Sequence, residues 1–421
     1  MSNSIATVST PATGETISLL NEPSAIVESA PGAGGDFVAS VHATGVTSIL
    51  EAVFTSSNVA LDVFQSIALD ANGNATIPVH FTASGEYLNL VTPDLLTSTA
   101  SFPVVITDAA NTVTTIVGTI ANQTLSVTGG SNAVFVTVPD TIVQTGGVST
   151  VESSAGHMTM TASAGAQIIF DAVGGDLISE APSSVFVGGP GGAASTITAS
   201  TGGTDTIFAG GALLYNGMGG TNSLLVGGSG AATVVSAANE VVFGGTGGGV
   251  YAPGSGSFFL FGGGGSDTIS GGTASPTVWG NSNEKLIATG TAQHGVFVAF
   301  GEQDSINASA AGGGNSFVVV DQTLAVPGGI FSGNTTLVGS SAGLDTFAIF
   351  GEPGTAPPAH TITIQNWQAS DTLFLGNYSA ADVAAANTAL SGAAVGAGAS
   401  FTLSDQTTIA FVGAHPTFAF S

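Results

Sequence analysis

Cysteine is absent from the 421 residues, so neither a disulfide nor a thiolate holds or serves this fold. Basic charge is almost absent as well. Lys285 stands alone against 27 acidic residues, giving a formal charge of −26. A nucleic-acid binder needs Lys and Arg to replace phosphate counterions, and an anionic membrane surface attracts the same groups. One lysine excludes both partners. Long apolar runs are also missing. No stretch of about 18 apolar residues exists, so membrane insertion by a helix is not expected. The first ten residues carry no basic residue and no apolar core of signal-peptide length, so no cleaved N-terminal signal is expected.

What the chain does contain is glycine, 62 residues of it, beside a hydrophobic fraction of 43% that includes 24 Phe. A disordered acidic chain is poor in Val, Ile and Phe, whereas this one can bury a long core. Charged residues make up only 7%, so polarity comes from Ser, Thr, Asn and the backbone. Repulsion among the carboxylates would be relieved by salt or divalent cations.

Four regions follow from the composition. Residues 1–14 are small and polar and read as a flexible arm. Within it, Ile5-Ala-Thr-Val-Ser9 alternates as a strand does, and could add to a neighbour's sheet edge. Residues 15–118 read as a β-sandwich of short strands at 47–54, 59–69, 75–81 and 102–107. Asp70-Ala-Asn-Gly-Asn74 forms a turn between two of them. From 119 to 355 glycine pairs recur behind apolar runs. Val185-Phe-Val-Gly-Gly, Ile207-Phe-Ala-Gly-Gly, Leu224-Leu-Val-Gly-Gly, Val241-Val-Phe-Gly-Gly and Phe259-Leu-Phe-Gly-Gly are the clearest copies. With Val278-Trp-Gly and Val298-Ala-Phe-Gly, the first glycines fall at 188, 210, 227, 244, 262, 280 and 301. A period near 18 with a strand and a glycine turn per copy predicts a parallel β-solenoid, of β-helix or β-roll type. A coil that small buries its apolar face only by stacking on neighbours, and the copies between Gly188 and Gly351 would stack over ~43 Å at ~4.8 Å per coil. Residues 356–421 read as a C-terminal cap. Ser379 three residues before Asp382 opens a helix reaching Leu390, with Gly392 as its stop, and strands are expected at 400–403 and 407–412. The fold class is therefore all-β, with a sandwich, a solenoid and one short helix.

Gly262-Gly-Gly-Gly-Ser-Asp-Thr-Ile-Ser270 fits the nonapeptide G-G-x-G-x-D-x-U-x, where U is a large apolar residue. Asp176, Asp205, Asp304 and Asp345 stand before an apolar position in partial copies, and Asn222 and Asn315 replace Asp in two more. Over roughly residues 170–350 the chain resembles the RTX, or hemolysin-type, repeat proteins exported by type I secretion. The resemblance implies Ca²⁺ held at the turns. Asp267 would supply a carboxylate, Gly263 and Gly265 would let the backbone present carbonyls, and Asp176, Asp205, Asp304 and Asp345 would serve the other turns. It also implies an uncleaved C-terminal export signal, which Thr417-Phe-Ala-Phe-Ser421 suits.

Catalytic residues and organic cofactors are not expected. The six histidines, at 42, 80, 157, 294, 360 and 415, show no metal-ligand spacing, and no G-x-S-x-G elbow occurs. β-Helix lyases and epimerases neutralise a uronate with Arg or Lys, and only Lys285 is available. Thr-x-Thr triplets at 159/161, 196/198 and 361/363 resemble ice-binding faces but do not follow the coil period. The expectation is a non-enzymatic, self-assembling surface-layer, matrix-fibre or adhesive subunit at the cell surface or outside the cell. Its partners would be copies of itself, with cell-surface polysaccharide as a second candidate. A polysaccharide-active enzyme, whether lyase, epimerase or hydrolase, is the main alternative, and a carbohydrate- or ice-binding module the third.

Overall fold

The computed structural model describes residues 124–421, except 130, 155, 192, 218–219, 237–238, 271–274, 282–284, 290–293, 300–303, 321–333, 352–358, 395 and 421, and between residues 5 and 118 it describes the backbones of strands. Most of the turn expected at 70–74 lies outside the described residues. The chain divides into two units, Met1–Thr206 and Ile207–Ser421.

In the first unit, the strand backbones upstream pair antiparallel in two sets. Ile5–Ser9, Thr16–Leu20, Ala52–Ser56, Val59–Phe64 and Leu95–Ser98 form one. Ile26–Pro31, Phe37–His42, Asn74–Phe81 and Leu88–Val91 form the other. Ile5–Ser9, inside the expected arm, is thus a strand paired with Thr16–Leu20 of its own chain. Each set then leads by parallel pairing into a solenoid sheet. Sheet 1A continues through Val113–Gly118, Ser131–Val136, Val148–Ser153, Gln167–Asp171 and Val185–Gly188. Sheet 1B continues through Val104–Thr107, Thr124–Thr128, Thr141–Gln144, Thr159–Ala162, Leu177–Ser179 and Ser195–Thr198.

The second unit repeats the arrangement. Sheet 2A runs in parallel from Asn222–Val226 through Asn239–Phe243, Phe258–Phe261, Pro276–Trp279, Val296–Ala299, Ser316–Val320 and Thr346–Phe350 to Thr372–Gly376. Sheet 2B runs from Leu213–Gly217 through Ala232–Ser236, Gly249–Ala252, Ser266–Ser270, Lys285–Thr289, Ser305–Ala310 and Thr335–Val338 to His360–Gln365. Each coil therefore carries two strands, one per sheet, rather than the single strand the glycine pairs suggest. The second strand hides in the polar stretch after the glycines, as in Ser266-Asp-Thr-Ile-Ser270.

Strand alternation explains the core. Every second side chain points inward, and parallel register stacks like residues. In sheet 1B the inward column is Leu125, Ile142, Met160, Ile178 and Ile197, each at most 1% exposed. In sheet 2A it passes through Phe297, Phe317 and Phe347, whose rings stack at 5.7 and 4.8 Å, to Leu373. Glycine is required where coil backbones meet. A Cβ on Gly263 would strike the Gly244 carbonyl.

The C-terminal segment closes the second unit. Thr407–Val412 adds in parallel to His360–Gln365 and pairs antiparallel with Ala399–Thr402. Phe420 bridges Phe374 at the end of sheet 2A, with Leu375 N–H donating to Phe420 O at 2.9 Å and Phe420 N–H to Leu373 O at 3.1 Å. The helix spans Ala380–Gly392 with Ser379 as N-cap and a complete capping box with Asp382. Gly392 is its last residue, not a left-handed stop. Ala393 follows in an extended conformation and carries the chain straight out, so no positive φ is needed.

Candidate functional site

Polar residues at inward positions gather where strands begin and end, and these rims are the chemistry-bearing part of the molecule. On one rim of the first unit, Ser153 and Asp171 share a register at the ends of sheet 1A strands. Asp171 is 1% exposed. Its Oδ1 accepts from Val173 N–H (3.1 Å) and Gly174 N–H (2.7 Å), and its Oδ2 from Ser195 Oγ (2.5 Å). Gly174 and Gly175, both at φ +87°, make the turn that brings these donors round. Asp176 then opens the next strand, and its Oδ1 accepts from Met158 N–H of the coil before it (2.7 Å). Burial, and next the charge of Asp171, push the Asp176 carboxyl up to about 7. Hydrogen bonds from Met158 and Ser153 and the nearby His157 oppose the shift.

The opposite rim of that unit is built from amides and a carboxyl pair. Gln144 Nε2 donates to Gly146 O (3.0 Å). Gln167 Nε2 donates to Gly165 O (2.9 Å), while its Oε1 accepts from Ala181 N–H (3.1 Å) and Ser184 Oγ (2.9 Å). Glu180 lies beside Asp205. Burial, then the Asp205 charge and a hydrogen bond between the two side chains, hold the Glu180 carboxyl well above the ordinary carboxylate range. Two buried carboxyls in contact share a proton, because both cannot ionise together.

In the second unit the rim is a ladder. Asp371 Oδ1 accepts from Asp345 N–H (2.9 Å), and Asp371 Oδ2 from Gln368 N–H (2.8 Å). Burial raises the Asp371 carboxyl against these bonds. Asp345 Oδ1 accepts from Asn315 N–H (2.9 Å) and Asn315 Nδ2 (3.2 Å), and Oδ2 from Ser340 N–H (2.6 Å). Asn315 Oδ1 accepts from Gly295 N–H (3.0 Å), and its Nδ2 donates to Gly312 O (2.6 Å). Each side chain thus holds the backbone of the coil before it.

The aspartates expected at calcium turns are all inside. Asp176, Asp205, Asp267, Asp304 and Asp345 are 0–2% exposed. They do not form one row. In the second unit Asp267 lies within the sheet 2B strand Ser266–Ser270 and Asp304 directly precedes Ser305–Ala310, whereas Asp345 directly precedes the sheet 2A strand Thr346–Phe350. Asp267 stands level with Gly249 and Leu286 in the core column. Gly265 sits at φ +95° and Gly263 at a close coil contact, so both have conformational work at the turn. Both oxygens of Asp345 already accept from N–H donors, whereas Asp176 accepts from Met158 at Oδ1. No group of three His, Asp or Glu able to hold a metal ion occurs among the described residues.

Asp171, Glu180, Asp371 and the glutamines Gln144 and Gln167 belong to no recognisable motif in the sequence. Their signal is phase, because each polar residue falls on the inward beat of an alternating strand or directly beside one of its ends. The described histidines do not converge either. His360 Nε2 lies 3.2 Å from Thr407 Oγ1, beside a cavity about one water molecule in size that Tyr378 and Asp405 also line, which is too small for a substrate. No helix among the described residues is long and apolar enough to cross a membrane.

No family model, curated protein or solved structure matches the chain.

Proposed function

We propose that this protein is a non-enzymatic structural or adhesive subunit that works outside the cell and assembles with copies of itself. One observation carries the reading. Among the described residues, the buried side chains of Asp371, Asp345 and Asn315 each hold the backbone of the coil before, and those of Asp171 and Gln167 likewise tie coil to coil, which builds a rigid body. With only 7% charged residues, stretches of the surface carry no charge and can meet another copy. The similarity to RTX repeats supports export by a type I route, with residues 360–421 serving as both cap and address. Calcium, which that resemblance implies, would act at the turn 262–270 and stiffen the assembly.

Negative-stain microscopy of the purified chain, with and without Ca²⁺, tests the central claim. Filaments or sheets are expected, more regular in Ca²⁺, whereas a stable monomer in both conditions returns the enzyme reading to first place. Export has its own test. Deleting residues 360–421 is expected to leave the chain inside the producing cell, and normal secretion of the truncated form would end the type I proposal.

A further inference from the structure

We infer that the outer face of sheet 2A is the surface by which two copies of this chain associate side to side. The inference rests on the self-assembly reading above and names its surface. Two outward columns run along this sheet, and their exposed aromatic part spans its first four strands, because Val298, next in register after Trp279, is buried. One passes from Val226 through Phe243, Phe261 and Trp279 to Phe374, and the other from Leu224 through Val241 and Phe259 to Thr372. Phe243, Phe259 and Trp279 are 42, 41 and 40% exposed, far more than core residues. Neither column contains a charged residue, in a chain carrying −26. The equivalent face of sheet 1A is interrupted by Glu152, between Phe135 and Phe170.

Three arguments select a second copy as the occupant. The first is electrostatic. Two chains of charge −26 repel wherever carboxylates face each other, and this face lets them approach without that cost. The second is size. The four strands from Asn222–Val226 to Pro276–Trp279 span ~15 Å at ~4.8 Å a step, and two columns with their side chains are ~15 Å wide. That is roughly 200 Å² a side, which suits a weak side-to-side contact repeated between copies in an assembly. The third is ring orientation. Phe243 and Phe261 stack at 4.9 Å with planes 11° apart, and Phe261 lies 5.7 Å from Trp279. Rings stacked on each other along the sheet cover one another's faces and turn their edges outward. A sugar ring needs an open aromatic face, so the ladder suits a flat protein surface better than a glycan. Pairing through strand edges is hindered at the C-terminal end, because Phe420 bridges Phe374 on the last strand of sheet 2A.

The test uses the full chain. Phe243→Glu combined with Trp279→Glu is compared with the native protein by sedimentation equilibrium and light scattering across a concentration series. The expected result is an at least tenfold rise in the concentration needed for association, with an unchanged melting temperature. A second arm covers a folding failure. Because the chain has no cysteine, Thr277→Cys on this face should form a disulfide-linked dimer under mild oxidation, while Thr268→Cys in sheet 2B should form much less. A native chain that associates while the double variant associates equally well, or equal cross-linking at the two positions, overturns the assignment of the face and leaves the self-assembly reading standing. A native chain that stays monomeric at every concentration sinks that reading and this inference with it.

Discussion

Asp345→Ala lowers the melting temperature of the second unit by about 10 °C. The carboxylate accepts from Asn315 N–H, Ser340 N–H and Asn315 Nδ2, and it is 0% exposed. Alanine leaves two buried main-chain donors without their acceptor. Each buried donor left unsatisfied costs ~1–3 kcal/mol, so the loss totals roughly 3–4 kcal/mol. For a unit of this size, about 1 kcal/mol moves the midpoint by ~2–4 °C. The damage is local at first, because a solenoid couples each coil mainly to its neighbours. Amides of Asn315 and Ser340 should therefore exchange with solvent much faster than those of the aromatic core around Phe317. Asp345→Asn keeps one acceptor oxygen but turns an NH₂ toward a donor, and should recover at most half the loss. A fall below about 2 °C for the alanine variant would show that the ladder does not pin the coils.

The repeat and the capped helix were legible because they rest on local chemistry. Glycine pairs behind apolar triplets mark places where backbones of adjacent coils touch, and Ser379 with Asp382 forms a capping box whatever lies around it. The fate of the aspartates was not legible. In Gly262-Gly-Gly-Gly-Ser-Asp267, the motif says that a carboxylate follows a glycine turn, but not which side of the strand it faces. One residue of register decides which side that is. Asp267 pairs with Gly249 and Leu286 on the inward side, a relation between residues 18 and 19 positions away. The second strand of each coil was obscured similarly. Its short Asp-Thr-Ile or Asp-Ser-Ile core reads as turn chemistry until the flanking coils supply the pairing. Asp171, Glu180 and Asp371 could have been found only by asking where each carboxylate falls in the alternation.

The first unit loses stability as pH rises from about 5.5 to 7.5, and Asp176→Asn removes much of that loss. An ordinary acidic protein is nearly flat in this window, because exposed carboxylates have finished ionising. Asp176 has not, because burial and then the Asp171 charge push its carboxyl up to about 7 in the folded chain from an ordinary value of 3.8. Between those two values the folded state holds a proton that the unfolded state has released. Stability therefore falls as pH rises through the window and levels off once the folded form ionises too. Glu180, whose carboxyl burial and then the neighbouring Asp205 push up, drives the slope in the same direction. His157 acts against it, since its charge favours the ionised Asp176. Between pH 5.5 and 7 the Asp176 proton is worth at most ~2 kcal/mol, from about 1.4 kcal/mol per pH unit, and roughly half of that after screening. Asparagine mimics the protonated acid and keeps an oxygen for Met158 N–H, so the variant should match the native chain at pH 5.5 and exceed its stability at pH 7.5. Urea midpoints at the two pH values, read for both proteins, give the comparison. Other histidines and the general carboxylate repulsion shift both proteins alike and cancel in the difference. Parallel pH profiles for native and Asp176→Asn protein would mean that Asp176 is ionised throughout, and that the rim tolerates two buried charges without a proton between them.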